Sequence, residues 1–157
     1  MYNGDFDPTE FRASPSAKAW PAPVQNLRDK AEKADYLIFA VSENNSNISP
    51  VLINAISWAS RPEKVIRDGK ETSIQPIVGK KVGLVSAAGK MGGIYAQEKL
   101  RSMAYLKYEF IDLKSGPLGF NCFAPGAFDA NGDLVDKEMK SQVKAFLENF
   151  VNEASKK

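Results

Sequence analysis

The sequence predicts an α/β domain built on a parallel sheet. Two apolar runs without alternation, "YLIFAV" (36–41) and "KVGLVSA" (81–87), suit strands covered on both faces. Segments with helical apolar spacing stand before, between and after them. The resulting order is helix, strand, helix, strand, helix, strand, helix, which is the pattern of right-handed crossovers between parallel strands.

Residues 1–22 read as irregular, with Gly4, Pro8, Pro15 and Pro21 and no apolar period. In "PAPVQNLRDKAEKAD", Val24, Leu27, Ala31 and Ala34 then recur at helical spacing, while the charges of "RDKAEK" read as a solvated face. After the first strand, Ser49 and Pro50 form a helix start, N-cap followed by first-turn proline. Val51, Leu52, Ala55, Ile56 and Ala59 form its buried stripe, Trp58 packs in the core, and Arg61-Pro62 ends it. Residues 62–80 form a polar excursion without a strong period. The strand 81–87 leads into a glycine-bearing loop, "AGKMGG" (88–93), and a helix running to about residue 104. "KYEFIDL" (107–113) reads as a third strand and "GFNCF" as a short extended piece. "FDANGDLVD" is a turn punctuated by Asn131-Gly132. The last helix, 137 to about 154, buries Val143, Phe146, Leu147, Phe150 and Val151.

The chain has 157 residues, 43% apolar and 25% charged, with net charge +2, which fits one soluble domain over 1–157. No basic stripe calls for nucleic acid. The apolar runs are too short to span a bilayer, and the acidic, polar start is no secretory signal. A cytoplasmic location is the expectation. There is one cysteine and no histidine. That excludes an internal disulfide, a Ser-His-Asp or Cys-His unit, and the usual zinc sets. Cys122 reads as a small packed hydrophobe. If the chain is an enzyme, its difficult chemistry belongs to a bound cofactor.

In an open parallel sheet, ligands bind outside the carboxyl ends of the strands. Two loops meet that condition, "SENNSN" (42–47) and "SAAGKMGG" (86–93). If their strands are neighbours, the loops share one sheet edge and offer amides, hydroxyls and backbone N–H groups to a flat ligand. Gly89, Gly92 and Gly93 allow close backbone approach. A flavin ring edge, with its alternating donors and acceptors, suits such a pair of loops. The structural alternative is plain turn chemistry for Asn, Ser and Gly, with Glu43 capping a loop or helix start. A dinucleotide reading rests on the same glycine loop and on Asp112 about twenty residues further on, but G-x-G-x-x-G is absent.

At these residues the sequence resembles the NADPH-dependent FMN reductase and NAD(P)H:quinone reductase family, of flavodoxin-like fold. The family pattern, a strand, Pro-Glu-Tyr-Asn, then Leu-Lys-Asn-Ala-Ile-Asp-Trp-Ala-Ser-Arg-Pro, is matched by "SENNSNISPVLINAISWASRP" and most specifically by "NAISWASRP" (54–62). "SAAGKMGG" is similar to its second glycine loop, followed by Gln97 and "LR" at 100–101. "FDANGDLVD" resembles the tail of the quinone reductase branch.

The resemblance implies FMN at the sheet edge, hydride from NADPH or NADH, a quinone-like acceptor and a homo-oligomer. It places Ser42, Glu43, Asn44 and Asn45 along the flavin ring, with Ser86, Ala87, Ala88 and Gly89 at its pyrimidine end. No catalytic acid or base and no metal are implied. Ser42 and Asn44 stand where the family has Pro and Tyr, and Lys90 and Met91 where small residues are usual. "MYNGDFD" resembles the segment after the family's second strand. The family's first strand, phosphate loop, first helix and second strand have no counterpart, so an N-terminally truncated sheet of three to four strands rather than five is expected. That absence predicts weak FMN binding and a bare edge on strand 36–41. The alternative it leaves is a degenerate, non-catalytic subunit that acts by oligomerisation.

Overall fold

The computed structural model describes residues 1–3, 6–8, 19–111 and 117–156. In chain order, α1 (Ala22–Lys33) leads into β1 (Tyr36–Val41). A short hairpin, β2 (Glu43–Asn44) and β3 (Asn47–Ile48), precedes α2 (Pro50–Ala59). A second hairpin pairs β4 (Glu63–Arg67) with β5 (Lys70–Ile74). β6 (Lys81–Ala88), α3 (Ile94–Arg101), β7 (Glu109–Phe110), β8 (Leu118–Asn121) and α4 (Lys137–Ala154) complete the chain.

The sheet is parallel and four-stranded. β6 lies at its centre, paired with β1 from Tyr36–Lys81 to Val41–Ser86. On its other side β6 pairs with β7 through Lys81 and Val82, and with β8 through Val85 to Ala88. The expected third strand is therefore two short pieces. Residues 112 and 113 of that expectation, Asp112 of the dinucleotide reading included, lie outside the described residues. The period-two geometry of β6 sorts its side chains between two cores. Val82 and Leu84 join Ala31, Ile56, Ala96 and Leu100 beneath the first three helices. Val85 joins Phe120, Phe146 and Phe150 beneath α4. Gly83 gives α4 its seat, because a Cβ there would stand 2.7 Å from Phe146 Cζ and 2.9 Å from Phe150 Cδ2. The three-layer α/β architecture expected from the sequence is the one observed.

Several expectations change. The polar excursion contains the β4–β5 hairpin. Its residues lack alternation because most of them are exposed. Its Asp68-Gly69 turn, with φ of 50° and 74°, is a readable hairpin signal. The third helix ends at Arg101, and one 3-10 turn follows at Ala104–Leu106. On α4, Leu147 is 43% and Val151 58% exposed, so its buried stripe is narrower than the sequence suggested.

On α1, Leu27 points outward at 37% exposure, whereas Arg28 is 1% exposed. The charge read as solvated is a core element. Arg28 Nη1 donates to the carbonyls of Trp58 (2.9 Å) and Arg61 (3.0 Å), and Nη2 to Glu63 (3.1 Å). It thus satisfies carbonyls at the negative end of α2, which its own helix leaves unpaired. Trp20, 5% exposed, roofs the guanidinium at 4.2 Å and packs edge-on against Trp58. The N-terminal segment is held in the same way: buried Asp7 accepts from Tyr2 (2.9 Å) and from Arg61 Nε (2.9 Å).

Tyr108, packed between Phe39 and Phe110, buries a hydroxyl that has no partner, and burial pushes its phenol pKa up. Tyr108→Phe removes that orphaned group and keeps the ring. It is expected to raise stability by about 1 kcal/mol in urea denaturation; a loss of stability contradicts this account of the site.

Candidate functional site

The two polar loops meet at one sheet edge because β1 and β6 are adjacent, parallel and in register to their ends. β1 stops at Val41, opposite Ser86, while β6 continues to Ala88. Ser86 and Ala87, the end of the expected strand 81–87, and Ala88, expected in the loop, are strand residues paired with Gly119, Phe120 and Asn121. The Ala88 carbonyl turns to the β8 side, where it accepts from the Cys122 N–H at 2.7 Å. Successive residues of a strand turn their peptide groups to opposite sides, so those of Ala87 face the side where β1 has ended. The Ala87 N–H bonds the Val41 carbonyl in the ladder, so the Ala87 carbonyl alone lies beyond the last paired residue of β1.

"SENNSN" is a tight hairpin. Asn45 and Ser46 hold φ of 51° and 59°, the left-handed pair of a type I′ turn, which Asn tolerates well. Glu43 then reaches across, its Oε2 accepting the Ala96 N–H at 3.0 Å in the first turn of α3. A carboxylate is favourable at a helix start, which carries unpaired N–H groups and the positive end of the dipole. Ser49 caps α2 through Leu52 N–H at 3.4 Å. Of the predicted residues, Ser42, Asn44 and Asn45 are exposed on this hairpin and its lead-in, and Glu43 is partly buried beneath it.

The glycine loop folds back over the end of β6. Ser86 Oγ donates to the Gly92 carbonyl at 2.5 Å and accepts from Gln97 Nε2 at 2.7 Å, and Gln97 Nε2 also donates to the Leu118 carbonyl at 2.8 Å. Gly92, at φ +66°, lies against the Gly119 backbone, where a Cβ would stand 2.7 Å from a carbonyl carbon. Gly93, at φ +82°, lies against Ser86. Gln97, fully buried, ties β6, β8 and α3 together at the site. Gln97→Leu takes one hydrogen bond from the Leu118 carbonyl, which keeps its ladder bond to β6, and one from the Ser86 hydroxyl, which keeps the Gly92 carbonyl. The expected loss is about 2 kcal/mol by chemical denaturation; a change below about 0.5 kcal/mol would show that this network is not holding the site.

Beside the strand ends lies an open cavity of about 340 Å³ with almost wholly apolar walls, lined by Ala40, Val41, Ser42, Val85, Ser86, Ala87, Phe120, Phe128, Leu134 and Val143. Ser42, Ser86 and Ala87 of the predicted set line it. Glu43, Asn44, Asn45, Ala88 and Gly89 do not. Phe128 and Leu134 come from the turn 128–136, whose ends are joined by a bridge between them. The sequence signalled a turn there and nothing about its apolar inner face. Met91, Tyr95 and Phe123, at 49%, 43% and 79% exposure, stand on the segments around the same strand ends.

This arrangement fits a flat ring. It offers apolar walls, the Ala87 carbonyl and the exposed Ser42 hydroxyl. Among the described residues, the two helix starts beside it do not fit a phosphate. Pro50 at the start of α2 brings no N–H, Ser49 takes the Leu52 N–H, and Glu43 occupies the first turn of α3. Among the described residues no group of three or more His, Cys, Asp or Glu could hold a metal, and no helix is long and apolar enough to cross a membrane.

The sequence model of NADPH-dependent FMN reductases matches residues 2–124. An NAD(P)H:quinone oxidoreductase of Solanum tuberosum is 38% identical over 130 residues, 82% of this chain and 60% of that protein. An NAD(P)H-dependent FMN reductase of Pseudomonas aeruginosa is 33% identical over 135 residues, 84% of this chain and 65% of that protein. The chain thus spans about 60% of the length of the curated relatives it matches. Among solved structures, the flavoenzyme NAD(P)H:(acceptor) oxidoreductase FerB of Paracoccus denitrificans superposes with a TM-score of 0.69 and 23% identity, covering 96% of this chain and 72% of that one. That likeness shows a shared flavodoxin-like fold.

Proposed function

Because the chain belongs to the NADPH-dependent FMN reductase family, we propose that it is a flavin-dependent NAD(P)H oxidoreductase that passes electrons to a quinone-like acceptor. One observation carries the reading: Ser42 and the Ser86–Ala87 segment stand side by side around an apolar slot, on strands whose register brings them there. FMN, when bound, supplies acceptance of hydride and its onward delivery as electrons. The chain's own residues bind, orient and exclude water. Val41, Val85, Phe120, Phe128 and Leu134 would wall the ring, and the Ala87 carbonyl and Ser42 hydroxyl would read its polar edge. Glu43 acts one step away, fixing the hairpin on α3, and Ser86 fixes the glycine loop. No side chain is asked to move a proton, which agrees with a chain that has no histidine.

With the two helix starts beside the slot taken, the described residues offer flavin affinity through the ring. FMN binding is therefore expected to be weaker, by several orders of magnitude, than in a site with three or more charge-assisted phosphate contacts. The test is oxidation of NADPH by the pure chain with added FMN and a soluble quinone. Saturable, flavin-dependent turnover is expected. No turnover at saturating flavin leaves the second reading, a subunit that acts through assembly.

A further inference from the structure

We infer that Phe123, Met91 and Lys90 form a ledge for the electron acceptor beside the slot, and that Lys90 makes it favour flat acceptors carrying an anionic substituent. This rests on the reductase reading given above, to which it adds the chemistry of the acceptor.

The turn after β6 sets out the ledge. The Gly89 carbonyl accepts the Gly92 N–H at 2.7 Å, so residues 89–92 are one β-turn with Lys90 and Met91 at its two corners. Met91 is 49% exposed, and Lys90 is exposed too. Phe123 comes from the segment after β8. Its N–H is fixed by Asn121 Oδ1 at 3.0 Å. Its ring lies against Gly89, where a Cβ would stand 3.9 Å from Cε2, yet the residue is 79% exposed. Apolar side chains gathered in the open at the carboxyl ends of parallel strands mark a contact surface. The ledge stands on the β8 side of β6, away from the outer edge of β1.

An apolar ledge alone takes any flat ring; the cation beside it selects. Among the described residues Lys90 forms no hydrogen bond or ion pair. Nearby carboxylates are engaged elsewhere. Glu43 accepts the Ala96 N–H at 3.0 Å. On the turn 128–136, Asp129 accepts the N–H groups of Asn131 and Asp133, and Asp136 that of Met139. Three residues separate Lys90 from Ala87, which lines the slot, so their Cα atoms lie at most about 11 Å apart. A bicyclic acceptor and a lysine side chain bridge that span together. The ammonium then pairs with a carboxylate, a sulfonate or an ionised hydroxyl on the ring, and the ring's contact with Phe123 keeps water from one side of the pair. At an exposed corner such a pair is worth about threefold to fivefold in kcat/KM.

The test gives the pure chain, with FMN and NADPH added, naphthoquinone and naphthoquinone sulfonate in turn. NADPH and one proton reduce either acceptor to its quinol, leaving NADP⁺. The ratio of the two kcat/KM values, sulfonate over neutral, is compared between variants, so the acceptors' own potentials cancel. Lys90→Gln is expected to lower the ratio about threefold to fivefold and Lys90→Arg to keep it. In about 1 M NaCl, where the screening length is about 3 Å, wild type and Lys90→Gln are expected to converge. Phe123→Ala is expected to lower kcat/KM for both acceptors about fivefold. Lys99→Gln, which removes an exposed charge further along α3, leaves the ratio unchanged. An unchanged ratio in Lys90→Gln, an equal fall in Lys99→Gln, or wild-type kinetics in Phe123→Ala overturns the inference while the reductase reading stands. So does a raised KM for NADPH in Lys90→Gln with the ratio intact, which would put the lysine on the nucleotide. No turnover of either acceptor removes the reductase reading and this inference with it.

Discussion

Gly92→Ala lowers the stability of the chain by about 3 kcal/mol and weakens flavin binding at least tenfold. Two costs add. At φ +66° a Cβ is disfavoured by about 1–2 kcal/mol. The same Cβ would stand 2.7 Å from the Gly119 carbonyl carbon and 2.9 Å from its oxygen. Backbone cannot rotate out of the way as a side chain can, so the loop must lift from β8, at about 1–3 kcal/mol. Lifting breaks the 2.5 Å bond from Ser86 Oγ to the Gly92 carbonyl and disturbs the Gln97 network beneath it. Binding and folding therefore fall together. Urea denaturation and flavin titration of the same preparation check it, and a variant of wild-type stability contradicts the close approach.

Arg28→Ala is the second large effect, expected to cost about 3–5 kcal/mol. It removes a fully buried guanidinium, leaves the Trp58 and Arg61 carbonyls without their donor, and parts Glu63 from its partner. It also opens a void under Trp20. Because several buried groups are stranded at once, Arg28→Lys is expected to recover less than half of the loss. A lysine cannot reproduce the planar fork that bonds two carbonyls and a carboxylate together. Thermal unfolding of both variants decides; a near-neutral Arg28→Ala would mean that α1 docks on α2 by apolar contacts alone.

These residues also show what could be read from the chain before its fold was known. The runs 36–41 and 81–87 mark two parallel strands, and their adjacency, which the pairing supplies, brings the two loops to one edge. Arg28 was misread because the helical period marks a face, not its partners. Leu27 and Arg28 are neighbours on that face, and only the carbonyl end of α2 makes the arginine the inner one. The β4–β5 hairpin escaped because a strand solvated on both sides has no alternation, although its Asp-Gly turn was in plain view. Glu43 bonds a helix start through a contact 53 residues away in sequence, which no local pattern encodes. The strand runs one residue past the expected end, to Ala88, because the length of β6 is set by its pairing with β8, not by its own residues.

The slot between the β1 and β6 ends is tested most directly by titrating the pure chain with riboflavin and with FMN, following flavin fluorescence, alongside a Ser42→Trp variant. Ser42 is exposed at the lip of the slot, so an indole there fills the space without entering the core. The account predicts one flavin per chain, and at least a tenfold loss in Ser42→Trp with thermal stability unchanged. Full-strength binding by Ser42→Trp, or no binding of either flavin up to about 1 mM, would contradict it.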